Sequence, residues 1–117
     1  MENEPLLAYE RLDVYRVSID VLAAAHKITS ALPRGHAPLA DQFRRAAISV
    51  PLNIAEGTGW PTDADAARHY GIARGSALEC GAILDALKAL GLVTPSLALA
   101  TRSQIVRVVQ MLSRMCR

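Results

Sequence analysis

"RRAAISVPLNIAEG", residues 44–57, decides the fold. With its upstream flank, and at about 100° per residue, Leu39, Phe43, Ala46, Ala47, Val50 and Ile54 fall on one face of a helix. Gln42, Arg45, Ser49, Asn53 and Glu56 form a polar stripe on the other. Pro51 interrupts the stretch: it has no N–H and crowds the carbonyl of Ala47, so the spacing predicts a kink or break there.

Outward from this helix, three breakers pair glycine with proline: "LPRGHAP" at 32–38, "GTGWPT" at 57–62 and "GLVTP" at 91–95. They leave four helical stretches, roughly 9–31, 38–57, 63–90 and 96–116, behind a short tail, 1–8. Thr62 with Asp65 reads as a capping box, Thr94-Pro95 as an N-cap with proline at the first helical position, and Gly91 as a C-terminal cap. At 117 residues, with 20 alanines and five aromatics, the chain has the size of one domain and the composition of helices rather than sheet. Short connections favour antiparallel neighbours, so the predicted fold is all-α: an antiparallel up-down four-helix bundle, 9–117, with a proline-kinked second helix.

Two of the helices carry more apolar surface than one core needs. In the first, Val14, Val17, Val21, Ala24 and Ile28 make a seam, and Leu12, Tyr15, Ile19 and Leu22 a second stripe. In the third, Tyr70, Ala73, Ala77, Cys80, Leu84 and Leu87 make the seam, and Ile72, Ile83, Ala86 and Leu90 the second stripe. Double stripes suggest a bundle that packs against copies of itself, with Leu12, Tyr15, Ile19, Leu22, Ile72 and Ile83 as interface candidates. The alternative is that loops or the segment "PLLAYERL" cover them.

The stretch "DQFRRAAISVPLNIAEG", followed by "YGIARGSALE" and "LKALGLV", resembles the bacterial four-helix bundle family encoded in intervening sequences of 23S rRNA genes, the S23-type family. "YERLDVYRVSIDV" is similar to that family's first helix, so the resemblance spans roughly residues 9–112. Its most specific parts are Arg45-Ala46-Ala47, Asn53-Ile54-Ala55-Glu56-Gly57, and Gly75-Ser76 with Glu79. The resemblance implies a small cytosolic bundle assembling as a ring of five protomers, with no established enzymatic activity. It also implies a kinship to accessory bundles of diversity-generating retroelements, which bind nucleic acid through basic surfaces. The chain departs from the family's pattern at "TGWP", which puts Trp60 where a polar loop is expected.

Gly75 and Ser76 are small enough to let two helices approach closely. If Arg45, Asn53, Glu56, Ser76 and Glu79 lie between helices or protomers they need partners, and the expected pairing is Arg45 with Glu56 or Glu79, within or between subunits. The other reading is a solvated polar stripe.

Nothing in the sequence assembles a catalytic centre. His26, His36 and His69 lack metal-ligand spacing, and His69 beside Arg68 reads as a surface residue. Cys80 lies on an apolar seam, Cys116 stands alone, and Gly57 and Gly59 lead into a Trp-Pro turn with no phosphate-loop lysine. The expectation is no enzyme, no cofactor and no metal. "MENEPLLAYE" is acidic where a signal peptide is basic, and no apolar run reaches roughly 18 residues, so a cytoplasmic protein without membrane contact is expected.

Charge is the remaining signal. Residues 1–85 hold 8 Lys/Arg and 11 Asp/Glu, whereas residues 86–117 hold 5 Lys/Arg and no acid. In the last helix Ile105, Val108, Val109, Leu112 and Met115 form the core seam, and Ser103, Arg107, Gln110 and Arg114 line the opposite side, extended by Arg102 and Arg117. That stripe suits non-specific phosphate contact with RNA or DNA. It equally suits a solvated face whose cations complement the helix C-terminus. A third possibility is a protein scaffold docking its partner through loops that include Trp60.

Overall fold

A computed structural model describes residues 4–117; the first three residues of the expected tail lie outside it. It contains four α-helices: α1 (Asp13–Ser30), α2 (Ala37–Thr58), α3 (Asp63–Ala89) and α4 (Pro95–Met115). Contacts run α1 to α2, α2 to α3, α3 to α4 and α4 back to α1, and none crosses a diagonal. This is the antiparallel up-down bundle, and among the described residues it contains no strand.

The helix starts and stops follow local chemistry. The Thr62 hydroxyl accepts from the Asp65 amide at 3.2 Å and donates to the Asp65 carboxylate at 2.8 Å. Thr94 caps α4 through the Leu97 amide at 3.3 Å, with Pro95 next. After α3, Gly91 takes φ +70°, and the amides of Leu92 and Gly91 donate to the carbonyls of Leu87 (2.8 Å) and Lys88 (3.0 Å). That is a complete Schellman closure, and glycine reaches the left-handed conformation it needs without a Cβ clash.

The first helix starts four residues later than its periodicity predicts. Ala8–Arg11 form a 3-10 turn, in which the Leu7 amide donates to the Glu10 carboxylate at 2.8 Å, and Leu12 is extended before α1 begins. The Tyr9 and Tyr15 rings meet at 4.5 Å across this joint. Pro51 does not break α2, which continues to Thr58 with the proline ring buried.

The core matches the predicted seams closely. Val14, Val17, Val21 and Ile28 of α1 pack with Phe43, Ala46, Ala47, Val50 and Ile54 of α2, with Ala73, Ala77, Cys80, Leu84 and Leu87 of α3, and with Ile105, Val108 and Leu112 of α4. Ala25 rather than Ala24 fills the α1 seam. Small residues, Ala46 and Ala47 on α2 and Ala73 and Ala77 on α3, line the core between this pair. Gly57 is the extreme case, since a Cβ there would sit 2.5 Å from Cε1 of Tyr70.

Candidate functional site

Two surfaces hold the polar residues that the sequence singles out: the seam between α2 and α3, and the outer face of α4. The seam carries a chain of hydrogen bonds. Gln42 of α2 bonds the carboxylate of Glu79 on α3. Further along, Ser76 donates to Ser49 at 2.8 Å, and Asn53 donates to the Ser49 hydroxyl (3.1 Å) and carbonyl (2.9 Å). The free carbonyl oxygen of Asn53 then faces Nδ1 of His69 at 3.3 Å, and Nε2 of His69 faces the Arg68 guanidinium at 3.3 Å. Asn53 Oδ1 can only accept and Arg68 can only donate, so this geometry suits the imidazole tautomer with its proton on Nδ1. Trp60 stacks on His69 with ring centroids 5.8 Å apart, and Glu56 lies 3.9 Å from Nδ1.

His69 is therefore not the surface residue that its neighbour Arg68 suggests: it is 6% exposed and joins the two helices. Its four-residue spacing from Ala73 places it on the buried side of α3, a signal the sequence does contain. Arg45 is exposed and, among the described residues, bonds neither Glu56 nor Glu79 within the protomer. Glu56 and Glu79 lie at opposite ends of the seam. Glu79 meets α2 at Gln42, which stands about 20 Å from Glu56 along that helix at a rise of 1.5 Å per residue. Ser76 enters the seam as expected, but Gly75 points outward, and a Cβ there would meet nothing within 4 Å.

Two further placements correct the sequence reading. Ile83, an interface candidate, is 7% exposed and belongs to the protomer's own core. Leu12, Tyr15 and Leu22 are half-buried against that core, which leaves Ile19 and Ile72 as the exposed interface candidates; Leu90, at the end of the second α3 stripe, is exposed as well. Cys80 is fully buried; burial, with the Glu79 carboxylate second, pushes its thiol up to about 12, far from a nucleophile's range. Burial also raises the Tyr70 phenol. Among the described residues no group of three His, Cys, Asp or Glu converges as a metal site, and no helix is long and apolar enough to cross a membrane.

The outer face of α4 is different. Arg102, Arg107, Gln110, Arg114 and Arg117 are all exposed. Among the described residues no carboxylate lies within 4.0 Å of any of these arginines. On one flank of α4, Arg74 of α3 donates to Ser113 at 2.7 Å, so a fifth arginine borders the depression that Arg117 lines. Between α3 and α4 lies a groove of about 370 Å³ lined by Leu78, Ala82, Ile105 and Val106, with Asp85 of α3 and Arg102 of α4 also in its lining.

The fold and these surfaces define a small antiparallel bundle with a hydrogen-bonded polar seam and a basic α4 face that no carboxylate of the described residues neutralises. The family described as 23S rRNA-intervening sequence protein matches residues 10–114, and the chain belongs to that family. It is similar to the crystal structure of a protein of unknown function from the S23 ribosomal protein family of Bacteroides thetaiotaomicron VPI-5482, at 18% identity and a TM-score of 0.83, over 89% of this chain and 98% of that one. That likeness is one of fold. No curated protein matches the sequence.

Proposed function

We propose that this protein is a non-enzymatic bundle that assembles with copies of itself and binds nucleic-acid backbone, without reading sequence, through the outer face of α4. The observation that carries this reading is the row of exposed α4 arginines with no neutralising carboxylate among the described residues. Arg107 and Arg114 stand two turns apart, about 10 Å along the axis, against a duplex that presents one negative charge per roughly 1.7 Å. Each guanidinium is a planar fork suited to phosphate oxygens. No aromatic side chain interrupts α4, so the face offers charge and hydrogen bonds but no stacking platform for bases.

Assembly multiplies a weak contact. The family resemblance supports a ring of five, in which the α4 face repeats around the oligomer and several weak phosphate contacts act together. The exposed apolar residues Ile19, Ile48, Leu52, Ile72 and Leu78 support self-association independently.

A second reading, docking of a protein partner at the α2–α3 turn, rests on Trp60, whose ring is 45% exposed beside a depression lined by Ala55, Glu56 and Pro61. The stack on His69 gives that ring a role inside the protomer as well. Salt separates the two readings. Fluorescence anisotropy with labelled structured RNA and duplex DNA should show binding that weakens steeply as salt rises and is much weaker, with a shallower salt dependence, in an Arg107→Ala/Arg114→Ala variant. Absence of binding at low salt would remove the nucleic-acid reading and leave the Trp60 surface.

A further inference from the structure

The outward side of α3 has the wrong composition for water. Gly71, Gly75, Leu78 and Ala82 follow one another at spacings of four, three and four, all exposed, with no charged residue among them. α3 is also the least amphipathic of the four helices. Gly75 sharpens the point: it sits in a helix interior where alanine is favoured, and nothing in the protomer lies within 4 Å of the position its Cβ would take. Beside this stripe runs the apolar groove between α3 and α4, about 370 Å³ in volume, into which Leu78 and Ala82 face.

Another face of the same protomer has the complementary relief. On the outside of α2, Ile48 (40% exposed) and Leu52 (60% exposed) project from the bundle one turn apart, and Arg45 precedes them by three residues. Laid antiparallel on α3, this row matches residue for residue: Leu52 opposite Leu78, Ile48 opposite the small Ala82, and Arg45 opposite Asp85. The same register brings Gly75 beneath the next turn of α2, where its missing side chain permits close approach of the backbones. Arg45 and Asp85 are both exposed, and among the described residues neither has an ion partner in its own protomer.

We infer that the α2 face bearing Arg45, Ile48 and Leu52 docks antiparallel on the α3 face bearing Leu78, Ala82 and Asp85 of a second copy. Where each copy offers its α2 face to one neighbour and its α3 face to another, the contact is heterologous, and repeated with a closing rotation it generates a ring. It also gives Arg45 a carboxylate partner between subunits, though a different one from Glu56 or Glu79. This inference rests on the self-assembly reading above and names the surfaces that would carry it.

The test uses the full chain with Cys116→Ser as background, since Cys80 is buried and its thiol is pushed up to about 12. One preparation carries Leu52→Cys and another Leu78→Cys; both substitutions are at exposed positions and should leave the fold intact by circular dichroism. Mixed and mildly oxidised, the pair should form a disulfide-linked dimer that neither variant forms alone. In parallel, native mass spectrometry should show Arg45→Asp and Asp85→Arg each shifting the assembly towards the 12.6 kDa protomer, with mass restored when both changes are in one chain. A wild-type protein that is monomeric at all concentrations would overturn the assembly reading and this interface together. A wild-type oligomer in which the two cysteines do not cross-link and the charge reversals change nothing would overturn this interface alone.

Discussion

The α2–α3 seam and the outer rows of α3 and α4 use residues in opposite ways. In the seam the polar groups singled out by the sequence, apart from Arg45 and Glu56, hydrogen-bond within the same chain: Gln42 with Glu79, Ser49 with Ser76, Asn53 with His69. On the outside, α3 presents Gly71, Gly75, Leu78 and Ala82, and α4 presents Ser103, Arg107, Gln110 and Arg114, at the same four-three-four spacing. Neither row is completed within the protomer. One spacing thus supports two chemistries, an apolar row that asks for another protein surface and a basic row that asks for anions. The seam holds two helices of one bundle together, and in the function proposed above the rows set what the bundle meets.

Substitutions should therefore separate protomer stability from association. The largest effect on stability is expected at Gly57, where a Cβ would lie 2.5 Å from the Tyr70 ring. Gly57→Ala should cost roughly 1–3 kcal/mol, as overpacked positions do, read as a lower midpoint in urea with an unchanged slope. Asn53→Ala should cost about 1 kcal/mol by leaving Nδ1 of the buried His69 without its acceptor. A melt equal to wild type would show that the seam contributes nothing measurable.

Gly75→Ala is the sharper contrast, because its two effects have opposite signs. The protomer should gain roughly 0.5–1 kcal/mol from the better helix former, while a native mass spectrum shows weaker assembly. If the variant stabilises the chain and leaves its mass unchanged, the outer row of α3 is an ordinary solvated face.

The last effect is silent at neutral pH and shows only in alkaline solution. The Cys80 thiol is raised in the folded chain, by burial first and Glu79 second, from 9.0 to about 12. A raised acid keeps its proton longer when folded, so its contribution is fully present below pH 9 and fades as pH rises towards 12. Stability should fall over that window with a shallower slope in Cys80→Ala, and at neutral pH thiol reagents should label Cys116 well before Cys80.

Much of the fold is legible because it depends on period and punctuation. The seams through Val14, Phe43, Ala73 and Ile105 lie where a 3.6-residue repeat puts them, and Thr62, Gly91 and Thr94 cap as their chemistry requires. Periodicity alone makes the first helix too long, because residues 9–12 share its period. They are set off from α1 by the extended backbone of Leu12 and form a separate 3-10 turn, at whose start the Leu7 amide donates to the Glu10 carboxylate.

The site is less legible, since a helical wheel assigns sides but not neighbours. Ser76 and Gly75 differ by one residue, about 100° of rotation, and only the first reaches α2. Ile83 shares an apolar stripe with Ile72, yet one is core and the other exposed. A wheel carries no information on which stretch of a stripe its neighbours cover. His69 is hidden by the charged residue beside it.

The most direct test of the account compares salt dependence before and after removal of the α4 arginines. Binding of labelled duplex DNA is measured across a series of salt concentrations for the wild type and for Arg107→Ala/Arg114→Ala, with both masses and melting curves checked. The expected result is a steep wild-type slope that becomes shallower by about 0.9 for each phosphate that the variant no longer neutralises, at unchanged mass and melting temperature. Equal slopes for the two proteins, or no wild-type binding at low salt, would contradict the assignment of α4 as a nucleic-acid face.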